Sequence, residues 1–144
     1  MFADFIKRLT DPAPAPLPDG DARLAMTALL VRVARSDHDY STSERTRIQS
    51  IISARYALGE GERDSLLADA EVLESEAPDT VRFTRAIKDA VPYEDRLAVV
   101  EALWQVALAD GSRAKEEDAL LRLVTNLLGI TDMDSAQARQ RAER

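Results

Sequence analysis

Two pairs of carboxylates are spaced so that they could do chemistry together. Glu44 follows Asp37 by seven residues, and Glu117 follows Asp110 by seven. The second pair repeats the first at a distance of 73 residues (110 − 37 and 117 − 44). In each case the Asp ends a long apolar run and the Glu lies in the first turn of the next helical pattern. A short turn folds the chain back on itself, so both carboxylates can face one loop. Asp39 adds a further acid to the first loop and Glu116 to the second. Clustered carboxylates with backbone carbonyls suit a hard cation such as Ca²⁺ or Mg²⁺. The candidate metal ligands are thus Asp37, Glu44, Asp110 and Glu117, and a divalent cation is the one cofactor the chain suggests.

The same residues also have a purely structural reading. Ser41 and Glu44 have the spacing of a capping box, in which the hydroxyl accepts the third helical amide and the carboxylate reaches back to the cap amide. Asp37 and Asp110 suit turns, where Asp accepts amides from its own loop. Glu117 occupies the matching position after Ala114, and Ala cannot cap. Asp37-x-Asp39-x-Ser41 resembles the opening of an EF-hand loop, but the twelfth position is Ile48 in one copy and Leu121 in the other, and the sixth is Thr42 and Lys115. Neither copy is an EF-hand, which needs a bidentate Glu and a Gly there. His38, the one histidine, reads as an exposed loop residue. No serine has a histidine base in view and no glycine-rich phosphate loop occurs, so no catalytic residue is assigned. A hydrolase working through two carboxylates is formally open, since Asp and Glu can be tuned as acid and base, but nothing selects it.

The elements that would carry these acids repeat as well. The 73-residue step pairs Arg23 with Arg96, Leu24 with Leu97, Leu30 with Leu103, Val33 with Val106, Ala34 with Ala107 and Ile48 with Leu121. The expectation is an all-α, single-domain helical bundle of seven to eight helices, built from two pseudo-symmetric helix-loop-helix repeats. Leu24 to Ala34 and Leu97 to Ala109 are apolar on nearly every side and belong at the centre of the bundle. Residues 1–20 form a separate lead: a short amphipathic helix over Phe2–Leu9, then a strap with four prolines between Asp11 and Gly20, which exclude a helix. The main domain is 21–144. The spacing predicts a helix from the Ser41 cap to about Tyr56, stopped by Leu58-Gly59, helices over Glu60–Ser75 with Leu66, Ala70 and Leu73 inward and over Pro78–Ala90, a buried Trp104, a left-handed stop at Gly129, and a polar last helix prone to fraying.

The composition excludes several classes. With 26 acidic and 19 basic side chains the net charge is −7, which disfavours nucleic acid and anionic lipid as partners. Cysteine is absent, so disulfides and thiolate chemistry are ruled out. No apolar run is long enough for a membrane span, and the first residues lack a signal-peptide pattern. A cytoplasmic, membrane-independent protein is expected. Its partner would be another, unidentified protein or a second copy of itself.

The stretch Leu103-Trp-Gln-Val-Ala-Leu-Ala-Asp-Gly111, with Glu117 and Leu-Leu-Gly-Ile130, resembles the tellurite-resistance TerB family, and is similar to the N-terminal domain of DjlA-type co-chaperones. The resemblance spans roughly Asp21 to Ile130. It implies an all-helical bundle of two pseudo-symmetric hairpins in a bacterial cytoplasmic protein linked to stress or tellurite resistance. It also implies a non-enzymatic module whose acidic surface is proposed to bind divalent metal, here through Asp37, Glu44, Asp110 and Glu117. The chain departs from the family pattern at His38, where Gly is usual, and at Ala114, where a capping Ser or Thr is usual. A metal-independent adaptor or scaffold is the alternative that these departures keep open.

Overall fold

Two helices with almost no polar face hold the centre: α2 (Asp19–Ala34) and α6 (Tyr93–Ala107). A computed structural model describes residues 2–9, 19–35, 40–77, 79–108 and 115–143, without the side chains of 8, 9, 19 and 115–118. Among these residues there are eight helices and no strand. Every residue of α2 from Ala25 to Val31, then Val33 and Ala34, is buried. In α6 the buried set is Val99, Val100, Ala102, Leu103, Trp104, Val106 and Ala107. A helix buried on all sides must be wrapped by others. α2 packs against α6 and also against α3 (Thr42–Tyr56), α4 (Glu60–Glu76), α5 (Thr80–Ala90) and α7 (Lys115–Leu127). α6 packs in turn on α3, α7 and α8 (Asp132–Ala142). None of the described helices is long and apolar enough to cross a membrane.

The 73-residue step carries over to the helix bounds. α2 ends at Ala34 and α6 at Ala107; α3 begins at Thr42 and α7 at Lys115. Ile48 and Leu121 are both fully buried on the inner faces of α3 and α7. The most extensive helix pairings are α2 with α4 and α6 with α8.

Several boundaries differ from the sequence reading, each for a local reason. α3 ends at Tyr56, where the periodicity predicts its last residue, but Leu58-Gly59 does not make the stop. Ala57 takes the left-handed conformation (φ 53°) and donates to the Ser53 carbonyl, while Gly59 is extended and caps α4. α5 begins after Asp79, whose side chain accepts the Arg82 amide at 3.0 Å; Pro78 lies outside the described residues. On α4 the buried residues are Leu67, Ala70 and Leu73, with Leu66 only half-buried. Gly129 is left-handed as expected (φ 74°), and its amide and that of Ile130 return to Asn126 and Thr125. These two bonds close the end of α7 in a Schellman motif.

α8 is docked through specific contacts. Ala138 is buried, the Tyr93 hydroxyl donates to Asp134 at 2.6 Å, and Arg141 pairs with Glu101 at 3.1 Å. The N-terminal helix α1 (Ala3–Leu9) also rests on the body. Phe5 is buried, Phe2 and Ile6 pack against the core, and the Phe2 amide donates to Glu76 at 2.9 Å. The strap between α1 and α2 lies outside the described residues.

Candidate functional site

The first acidic hairpin is built on the start of α3. Ser41 is extended (φ −70°, ψ 159°) and its hydroxyl oxygen accepts the Glu44 amide at 3.1 Å. Glu44 Oε1 accepts in return from the Ser41 amide at 3.2 Å and the Ser41 hydroxyl at 3.1 Å. This is the capping box expected from the spacing. The burial of the acid was not expected: Glu44 is 1% exposed, in the same layer as Ile48 and Ile52. Charged side chains are seldom so buried unless paired or hydrogen-bonded. The cap supplies part of that compensation.

Of the other candidate ligands, Asp37 and Asp110 lie outside the described residues, with Asp39 and His38. Glu117 is the third residue of α7, as Glu44 is the third of α3; its side chain is outside the description. Among the described residues no three His, Asp or Glu side chains gather closely enough to hold an ion. A cation at either loop therefore needs donors from 36–39 or 109–118. The donor types there, carboxylate and backbone carbonyl, fit Ca²⁺ or Mg²⁺.

Around the first loop the structure adds residues that motif reading passed over. Tyr40, at the loop exit, packs its ring against the core with the Arg35 guanidinium 5.2 Å above it. Its hydroxyl is buried near Glu71 but outside hydrogen-bond geometry. Burial first, and then the Glu71 charge, push the phenol well above its ordinary pKa. Glu74 of α4 accepts from Arg32 at 3.2 Å and from Arg35 at 2.8 Å, and the Arg32 guanidinium also reaches the Glu74 carbonyl at 3.1 Å. Arg45 pairs with Glu71 at 3.5 Å. The cations flanking the hairpin are thus held by α4. The signal was present in the sequence: Arg32/Arg35 and Glu71/Glu74 are each three apart, one helical turn. Nothing in the sequence, however, put α4 opposite α2.

In the second half, Arg96 on α6 does the clamping. Its Nε donates to the Val91 carbonyl at 3.0 Å, its Nη1 to the Leu128 carbonyl, and its guanidinium lies 5.3 Å from the Tyr93 ring. One side chain so closes the C-terminal ends of both α5 and α7. Its partner at the 73-residue step, Arg23, sits instead over the Tyr56 ring at 4.9 Å.

No curated protein and no solved structure matches the chain. A family model described as tellurite resistance protein TerB does match, over residues 23–140, from the first turns of α2 to the last of α8. The match takes in most of the chain, and the helices of the described residues agree with it: the chain belongs to the TerB family.

Proposed function

We propose that this protein is a non-enzymatic TerB module in which the acidic hairpins bind a divalent cation, Ca²⁺ or Mg²⁺, and so bias a surface that engages a partner protein. The setting would be the cytoplasmic stress or tellurite response of a bacterium. The observation that supports this most is the burial of Glu44 at the foot of the first loop. A carboxylate withdrawn from water gains most when a cation or strong donors neutralise it. Glu44 would enter as a single-oxygen ligand, since Oε1 is committed to the cap. Asp37 would supply the loop side of the first site, and Asp110 with Glu117 the second.

Calorimetric titration with Ca²⁺, Mg²⁺ and Zn²⁺ tests this. The expected result is saturable heat with a dissociation constant below about 1 mM, lost when Asp110→Asn and Glu117→Gln are combined with Asp37→Asn. No heat, or the same heat in the triple variant, overturns the metal reading.

A second reading is a metal-independent adaptor. The complete capping box favours it, because it gives Glu44 a structural role that needs no ion. A silent titration with an intact fold supports that reading.

A further inference from the structure

The two halves of the chain end differently, and the difference opens a cleft. Beyond the second helix of each hairpin the repeat step shortens by one. The left-handed residues Ala57 and Gly129, and the caps Gly59 and Thr131, are each 72 apart (129 − 57 and 131 − 59). In that register Arg139 stands where the first half has Leu67, and Ala138 where it has Leu66. On α7, still in the 73-residue register, Thr125 stands where α3 has Ile52. Ile52 and Leu67 are fully buried, on helices α3 and α4 that pack together. Among the described residues α7 and α8 make no comparable contact. Between them lies a cavity of about 670 Å³ with Trp104 of α6 at its base.

That cavity is not walled like a packing defect. Arg122 enters from α7 and Arg139 from α8, and the Arg139 guanidinium lies 5.1 Å from the Trp104 ring centre. Asn126 and Gln140 bring carboxamides to the same space. The Trp104 indole N–H, directed at Ser135 Oγ at 3.4 Å, fixes the ring's orientation. Two arginines and two carboxylates, Asp132 and Glu143, share this lining, so the cleft is balanced in charge on a molecule of net charge −7. Arg139 Nε is held by Glu143 at 3.1 Å, which orients the guanidinium, and the rest of its fork faces a cavity of the size small ligands occupy.

We propose that the cleft over Trp104 binds a small anionic ligand whose carboxylate or phosphate head is held between Arg122 and Arg139. A guanidinium fork matches either head with paired N–H donors, and the indole offers a flat apolar wall to the ligand's body. Thr125 and Arg139 are then the changes that turn this face polar, since Ile52 and Leu67 fill the same positions in the other half.

Trp104 is the only tryptophan, so its fluorescence reports on this cleft alone. The full chain is titrated with inorganic phosphate and, separately, with succinate, at ionic strength held constant with chloride. A saturable change with one probe is expected, and the probe that acts identifies the head group. Arg122→Gln should weaken it about tenfold, the loss of one charge-assisted contact. The double variant Thr125→Ile, Arg139→Leu refills the cleft as the first half is filled. It should abolish the response while melting no lower than the parent chain, which separates lost binding from lost folding. No saturable change with either probe, or a change that survives both sets of substitutions, overturns the proposal.

Discussion

Ala57 and Gly129 close corresponding helices in the same left-handed conformation, φ 53° and 74°, but only one of them is suited to it. A side chain with a Cβ in that region costs roughly 1–2 kcal/mol, and glycine avoids it. Ala57→Gly should therefore raise stability by about 1 kcal/mol, and the backbone term alone should make Gly129→Ala lower it by about 1 kcal/mol. Urea denaturation of the two single variants, compared by midpoint at unchanged slope, checks both. At Gly129 the new Cβ would also come within 3.0 Å of Lys88 Cε and 3.2 Å of Arg96 Nη1. Lys88 can swing aside, but Arg96 is held by two carbonyls, so Gly129→Ala should be the larger effect. The Gly129 stop was legible in the sequence because Gly followed by an apolar residue is the usual signature. The Ala57 stop was not. Periodicity placed the last helical residue at about Tyr56, as observed, but the stop was credited to Leu58-Gly59, and Gly59 serves the next helix as an extended cap.

Among the elements, α1 is the shortest, at seven residues. A helix of that length does not form alone in water, so its order comes from Phe5 and from the packing of Phe2 and Ile6 on the core. Phe5→Ala should destabilise the protein by about 2 kcal/mol, the scale of burying one large apolar side chain. Deleting residues 1–18 should lower the melting temperature without changing the mass seen by light scattering, since α1 docks on its own body. A change in mass would show that it bridges copies. The helices of the described residues were readable from periodicity, and α2 and α6 were placed at the centre because polar residues are so few on them. Finer points were lost where two signals competed. Pro78 suggested an early start to α5, but the Asp79 side chain takes the Arg82 amide and sets the cap there. On α4, Leu66 and Leu67 are adjacent, and spacing alone could not say that Leu67 faces inward. The Ser41–Glu44 capping box was legible as a spacing. The burial of Glu44 was not, because a capping box forms equally well on an exposed helix. Arg139 looked like an ordinary solvated charge, since only the register of the caps reveals that it stands in the place of Leu67.

For the molecule as a whole, two tyrosines set its behaviour in base. Burial, the leading cause at both, raises the pKa of Tyr40 and of Tyr56; Glu71 adds to it at Tyr40, and Arg55 opposes it at Tyr56. An acid whose pKa is raised by folding stays neutral in the native state while the unfolded chain ionises near pH 10. The fold therefore keeps this contribution in full below about pH 10, and loses it as the pH rises through the native values. Titration followed by phenolate absorbance should show Tyr40 and Tyr56 ionising together with unfolding, and Tyr40→Phe should move the alkaline midpoint upward. Ionisation of both rings with the helical signal intact would contradict the burial on which this rests. A different consequence comes from Arg96. Because it grips the Val91 and Leu128 carbonyls at once, unwinding that starts at the chain's tail meets a latch before it reaches α7. With α8 itself tied to α6 through Tyr93 and Glu101, the two ends that Arg96 joins act as a rivet, and loosening on either side of it stays local.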